Sequence, residues 1–391
     1  GNRVRINARL VDGSTERILW EEPFERDLGD VLVLYRDVAR AIAERIRITV
    51  TPEELQRLAS ARPINPMAYD AYLRGRFFLS KRTGEDTRKG LGNFDQAVEI
   101  DPSYAPAYAG IADAYLTLAY YGPIPPAVAN AKAREAAVKA VTLDDSLAEA
   151  HNSLAEVHFH YDWDWSWAER EYRRAIALNP GYAKAHHGYS VFLDAMGRHD
   201  EALAEIRRAR ELDPLSLIIN TAVGTALFYC GDYDLAIKQW QSTLDLNPNF
   251  WVARLWLGIG YSAKGPYEDG VKEFESAVEL SKGHPSALGW LGYGYAISGK
   301  TAKSREILAK LQQKAKEGYV PPFEVAVACA GLGDKDQAFG YLEKAFQERY
   351  FAMPYLSQER FPLWRPLHSD PRYRDILRRM NFPKGKAGAR D

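Results

Sequence analysis

Histidines are the side chains best able to do chemistry in this 391-residue chain, which has 8 of them. His151, His158 and His160 share one stretch, and His186-His187 follow. A metal centre needs three or four ligands converging at about 2 Å, with partners behind them. His151 and His186 instead fall in one repeating column and read as packing residues. His160 and His187 are placed to face a partner. Other chemistries lack an anchor, because no nucleophile elbow, P-loop, dinucleotide fingerprint or zinc-protease motif occurs. Gly292, Gly294 and Gly299 are spaced loosely like a nucleotide loop, but no strand precedes them. Glu169, Arg170 and Glu171 read as a solvated helix face, where four-apart pairs add about 0.2–0.5 kcal/mol. No catalytic, cofactor-binding or metal residue is assigned, and the chain is expected not to be an enzyme.

The elements that would position these residues repeat. Gly197, Gly231, Gly265, Gly299 and Gly333 follow one another at a constant interval. Small residues recur in register at Ala202, Ala236, Gly270, Ser304 and Ala338, and again at Ser190, Gly224, Gly258, Gly292 and Ala326. A third column reads Ala209, Thr243, Ala277, Leu311 and Ala345. Helices approach closely only where side chains are small, so these columns mark hairpin contacts. Bulky columns, Tyr189 to Val325 and Ile206 to Leu342, stand at helical spacing from them and fill the core. Each recurring glycine ends a first helix in a left-handed conformation. Pro180, Pro214 and Pro248 stop the second helices.

A fixed period of this length with these columns resembles the tetratricopeptide repeat family. Leu257-Gly258, Tyr261, Phe274 and Ala277 match the family pattern best. The resemblance covers roughly residues 66–350 and implies a right-handed α-solenoid of about eight hairpins. The first two hairpins are expected to carry lengthened inter-helix loops, at Lys81–Thr87 and Tyr121–Pro126. Residues 351–391 form an aromatic and proline-rich tail. Within it Asp370-Pro371 opens a capping helix with Tyr373, Ile376, Leu377 and Met380 on one face. Phe351, Tyr355, Phe361, Leu363 and Trp364 lie between prolines that should keep the tail extended, and it is expected to fold back onto the last repeats.

The segment before the repeats, 1–65, differs. Val4, Ile6, Ala8 and Leu10 alternate, Asp12-Gly13 signals a turn, and Ile18 to Phe24 supply the returning strand. A helix with Val31, Tyr35, Val38, Ile42 and Ile46 on one face follows. A short helix after Thr51-Pro52 and a linker complete residues 51–65. Residues 1–50 are similar to the end of a TolB N-terminal-like (FlgO-like) α/β domain. That resemblance implies a bacterial signalling or transcriptional regulator, with an output domain upstream of the segment. A two-stranded hairpin is too little to fold alone, and its open edge invites pairing.

Lys plus Arg number 51 and Asp plus Glu 52, so no basic field draws in nucleic acid. No run of about 18 apolar residues would span a membrane, and no signal peptide is visible. Two cysteines exclude a disulfide framework and suit the cytoplasm. Trp163, Trp165 and Trp167 are expected to plug a corner between hairpins. In the resembling family the first helix of each hairpin lines a concave groove. That pattern places Asn152, Glu156, His160, Lys184, His187, Phe228, Tyr229, Leu255, Ile259, Tyr293 and Phe323 at the groove. Phe228, Tyr229, Tyr293 and Phe323 are the expected anchors for a peptide or partner protein. The groove is polar toward the N-terminus and apolar toward the C-terminus. The regulatory region of a kinase or nucleotide cyclase, and a self-assembling homo-oligomer, are the competing expectations.

Overall fold

The computed structural model describes residues 3–11, 18–27, 37–38, 41, 65–122, 124–265, 267–358, 361 and 363–383. Strands β1 (Arg3–Val11) and β2 (Ile18–Asp27) form an antiparallel hairpin in which Ile6 faces Phe24 and Leu10 faces Trp20. The expected alternation holds, with Val4, Ile6 and Ala8 less exposed than Arg3, Arg5 and Asn7. Most of the helix expected after β2, and all of the one after Thr51, lie outside the described residues.

Eight antiparallel helix pairs follow. They are α1 (Pro66–Ser80) with α2 (Gly84–Ile100), α3 (Ala105–Tyr121) with α4 (Pro126–Leu143), α5 (Ala148–Val157) with α6 (Trp165–Leu178), and α7 (Ala183–Ala195) with α8 (His199–Leu212). The series continues with α9 (Leu217–Cys230) and α10 (Tyr233–Leu246), α11 (Trp251–Lys264) and α12 (Tyr267–Leu280), α13 (Pro285–Ile297) and α14 (Thr301–Glu317), and α15 (Pro322–Gly331) and α16 (Lys335–Gln347). Local chemistry sets their ends. Asn65, Thr83, Asp164 and Asp334 cap α1, α2, α6 and α16 with side-chain oxygens. The five periodic glycines all have positive φ, from 69° at Gly197 to 95° at Gly231.

The small columns are where helices touch. A Cβ on Gly258 would stand 2.6 Å from the Phe274 ring, and one on Gly224 would stand 2.4 Å from Trp240. Phe274 and Trp240 are completely buried, as are Ile206 and Leu342 in the same column. A single core cluster runs from Ala155 to Met380 through these contacts.

Three expectations need correction. Lys81–Thr87 is not a loop, because Thr83 caps α2 and the helix begins at Gly84. Tyr121 still belongs to α3 and Pro126 already opens α4. The extra residues of the first two pairs therefore lengthen helices to 15, 17, 17 and 18 residues, against 13 and 14 in α7 and α8. Nor is the tail extended. It forms two 3₁₀ turns, Met353–Ser357 and Arg365–Leu367, each with a proline in its first turn, where the missing N–H leaves no bond unmade. Helix α17 (Pro371–Arg379) starts at the Asp370 cap as expected. It buries Tyr373, Ile376 and Met380, and sets Arg372 and Arg379 over Phe339 and Phe346 of α16.

The close contacts yield a paired prediction. Gly258→Ala forces the Phe274 ring or the nearby Gly270 carbonyl to move and should cost about 1–3 kcal/mol. Gly340→Ala, where nothing lies within 4 Å, should instead stabilise by about 0.5–1 kcal/mol. Thermal unfolding of both variants measures the contrast, and equal effects would contradict the contact geometry.

Candidate functional site

His151 and His186 are structural brackets. His151 Nδ1 meets Glu171 Oε2 at 2.6 Å and its Nε2 meets the Asp145 carbonyl at 2.9 Å. His186 repeats this with Glu205 at 2.6 Å and the Pro180 carbonyl at 3.0 Å. The next pair uses Asn220, which donates to the Pro214 carbonyl at 2.8 Å while Gln239 donates back to it. The following pair uses Arg254, with the Pro248 carbonyl at 3.0 Å and Glu273 at 2.9 Å. Each bracket ties a first helix to its own second helix and to the preceding turn. The chemistry of these residues varies too much for the column to stand out in the sequence. His151 to Glu171 spans one residue more than His186 to Glu205. The surplus is taken up by a π-turn, His158–Asp162, which ends at Trp163 with φ 56°.

First helices line the concave face as expected, and the C-terminal tail lies in it. A cavity of about 500 Å³ remains between them. Its polar end holds Arg76, Arg82, Asp113, Glu156, Lys184 and His187. Its apolar end holds Val252, Leu255, Trp256, Ile259, Trp290 and Phe323. Phe351, Tyr355, Phe361 and Trp364 of the tail form the roof. Of the residues assigned from sequence, Glu156, His160, Lys184, His187, Tyr229, Leu255, Ile259 and Phe323 line this space. Asn152 is fully buried, and its amide lies close to Gly188. Phe228 and Tyr293 are also buried outside the lining, against Trp240 and Trp290 respectively. Tyr229 is covered by Tyr355, with ring centres 6.5 Å apart, and Phe323 by Trp364 at 5.4 Å.

Polar groups at one end are closely interlocked. Asp113, 1% exposed, takes Arg76 at 3.1 Å, Lys184 at 2.6 Å and the Ser153 hydroxyl at 2.8 Å. Glu156 accepts from Tyr120 at 3.0 Å and stands 3.3 Å from His160 Nε2. Burial alone would raise the Glu156 pKa, but His160, Lys184 and Tyr120 outweigh it and hold the group at about 2. For His187 burial dominates, and with Arg82 and Lys184 nearby it pushes the imidazole down to about 4.

The role of the tryptophans goes beyond what their local sequence implies. Trp163 and Trp165 are buried but do more than fill a corner, since they receive the far end of the chain. Trp165 stacks on Phe382 at 4.7 Å and donates to the Asn381 carbonyl at 2.9 Å. Trp163 meets Phe346 at 5.0 Å and lies under the Arg349 guanidinium at 4.0 Å. Trp167, 46% exposed, stacks on His158 instead. Ser357 and Gln358 donate to the carbonyls of Ala195 and Asp194 at the end of α7. Across the groove Tyr121 meets Trp251 edge-on at 6.1 Å. Only contact between segments far apart in the chain gives these aromatics their role, and no local pattern encodes it.

Periodic hairpins, left-handed glycines and a first-helix groove define a tetratricopeptide-repeat solenoid. Residues 164–216 match the family described as tetratricopeptide repeat. Among solved structures, the Cut9–Hcn1 complex superposes with a TM-score of 0.55 at 15% identity, covering 90% of this chain and 63% of that one. A monomeric mutant of IFIT1 does so at 0.56 and 14%, covering 90% and 86%. Curated relatives also match by sequence. One is a Rhizobium meliloti protein named as an adenylate cyclase, 33% identical over 116 residues, or 30% of this chain and 20% of that protein. Another is the transcriptional regulator HilA of Salmonella typhimurium, 29% identical over 145 residues, or 37% and 26%. The matched segments thus amount to about a fifth and a quarter of those relatives' lengths. No described helix is long and apolar enough to cross a membrane. No group of three His, Cys, Asp or Glu able to hold a metal occurs among the described residues.

The brackets carry a pH dependence. Both partners of the His151 ring are acceptors, so the ring satisfies both only when doubly protonated. Burial lowers its pKa, but Glu171 and the Asp145 carbonyl outweigh that, and the net shift is upward. A pKa raised by folding gives stability that is complete below the unfolded value of about 6.5 and is lost as pH rises through the folded value. The difference in melting temperature between the parent and His151→Gln should therefore shrink as the pH rises from about 5.5 to about 8.5. A difference that stays flat or grows with pH would refute the bracket's charge.

Proposed function

We propose that this chain is the regulatory, partner-recognising region of a bacterial cytoplasmic signalling protein, and that its concave face takes an aromatic segment of a partner where its own tail now lies. The observation that supports this is the tail itself. Phe361 inserts among Trp290, Phe228 and Trp256, at ring-centre distances of 5.6, 5.8 and 6.4 Å. A groove that accepts an in-chain aromatic segment has the shape and surface to accept a similar one in trans. Glu156, His160, Lys184 and His187 would set polarity at one end, and Leu255, Ile259 and Phe323 would hold apolar side chains at the other.

These two curated relatives carry names for different outputs, transcriptional control and cyclic-nucleotide synthesis. Partial matches to proteins named for two different outputs suit a chain that senses rather than catalyses. The similarity of residues 1–50 to a TolB N-terminal-like module points the same way. The match to the cyclase-named protein favours a cyclase-coupled role as the second reading. The coding sequence upstream of residue 1 would distinguish a winged-helix domain from a cyclase domain.

Removing a buried Phe ring costs about 3–5 kcal/mol in a packed core, enough to loosen a tail held chiefly by apolar contact. Phe361→Ala should therefore raise recovery of cross-linked partners from the source cell several-fold. Tyr229→Ala with Phe323→Ala should reduce it below the parent. The same proteins recovered equally from all three would rule out the groove as the recognition surface.

A further inference from the structure

The roofed cavity has a charge asymmetry that the described tail residues do not satisfy. Three cations, Arg76, Arg82 and Lys184, line its polar end. The Asp113 carboxylate is shared between two of them, Arg76 and Lys184. Glu156 is occupied by Tyr120 and His160. Asp194, the next carboxylate along the lining, is paired with His199 at 3.0 Å, and Asp213 lies exposed at the rim. Glu324, at the opposite end beside Phe323, accepts from Ser286 at 2.7 Å and Tyr350 at 2.8 Å. Arg82 has neither an ion pair nor a side-chain hydrogen bond among the described residues. Its backbone is in the left-handed region, φ 53°, at the turn between α1 and α2. His187 also lines this end, and its side chain makes no hydrogen bond among the described residues. Held neutral by burial and by the adjacent Arg82 and Lys184, it keeps one ring N–H and one ring nitrogen unspent. A guanidinium and an imidazole N–H standing over empty space are donors awaiting an anion.

The other walls are of opposite character. Ile218, Ile219, Ala222, Val252 and Leu255 face the space from α9 and α11, and Tyr355 and Phe351 close it from the tail. A volume of about 500 Å³ falls in the range of pockets that hold small organic molecules, roughly 300–1,000 Å³. The tail already occupies the length of the groove, so what remains suits a compact molecule rather than a second chain segment.

We propose that this cavity is a binding site for a small amphipathic anion, a molecule with an aromatic or aliphatic body and one carboxylate-, phosphate- or sulfonate-type head. The head lies between Arg82, Lys184 and His187, and the body lies along α9 and α11 beneath the tail. A neutral molecule of the same shape gains the apolar contacts but leaves Arg82 and His187 unsatisfied. The head should therefore be worth about tenfold or more in affinity, the scale of a charge-assisted hydrogen bond. The site is complete with the tail in place, so it does not rest on a protein partner displacing that tail.

Two dyes of the same skeleton test this on the full chain. 1-Anilinonaphthalene-8-sulfonate carries the anionic head, and N-phenyl-1-naphthylamine lacks it. Calorimetric titration should give one saturable sulfonate site, bound about tenfold more tightly than the neutral dye. Arg82→Gln removes a side chain that has no hydrogen-bond or ion-pair partner among the described residues. It should weaken the sulfonate about fivefold or more and leave the neutral dye within about twofold. Ile219→Trp fills the apolar wall and should abolish both, with helical circular dichroism and melting temperature confirming an intact fold. Decanoate should displace the sulfonate dye and decanol should not, which separates an anionic head from apolar affinity alone. Equal binding of the two dyes, an unchanged sulfonate affinity in Arg82→Gln, or titrations that never saturate would each overturn the proposal.

Discussion

Everything in this molecule depends on how closely its helices approach. Gly258 and Gly224 meet Phe274 and Trp240 at distances that leave no room for a Cβ. The aromatic ring of each of these second helices thereby reaches through to the backbone of its first helix. Because small and bulky columns recur in register from one repeat to the next, each hairpin is related to its neighbour by nearly the same rotation and shift. Curvature follows from that repetition. A stack that curves has an inner face, and that face carries side chains which no neighbouring repeat can cover.

Curvature has a second consequence, in the third hairpin. One surplus residue there becomes the π-turn His158–Asp162, and the turn presents Trp163 and Trp165 where the far end of the chain arrives. The tail, entering beside Tyr120 and His160, then crosses the inner face toward Trp290 and Phe323. Among the described residues its direct hydrogen bonds to the concave helices are few. They run to the Ala195 and Asp194 carbonyls and from His160 to the Phe351 carbonyl. Most of its hold is aromatic area, which is non-directional and exchangeable.

The repeating part was legible in the sequence because its determinants are local and periodic. Gly231 must be left-handed, Ala236 must be small and Trp240 must be large, and each stands at a fixed offset in every period. Lys81–Thr87 is deceptive because its polarity imitates a loop, although Thr83 supplies an N-cap and lengthens the helix instead. The groove was legible only in outline. Glu156, Lys184 and His187 face inward on helical register alone, whereas Phe228 and Tyr293 obey the same register yet are turned into the core by Trp240 and Trp290. The tail's aromatic content announced burial, but its landing place depends on the summed rotation of several hairpins. The His151, His186, Asn220 and Arg254 brackets were hidden for another reason. Chemically different side chains do one job there, so no identity repeats along the whole column.

The division of the concave face follows from what the tail brings to it. Its aromatic rings pack against Tyr229, Trp256, Trp290 and Phe323 at the apolar end of the cavity. Toward Arg82 and His187 the described tail residues bring no carboxylate to the cavity lining. Filling that end with another apolar ring would bury a guanidinium without a counter-charge, which costs several kcal/mol. An occupant that completes this surface must be greasy along most of its length and negative at one end.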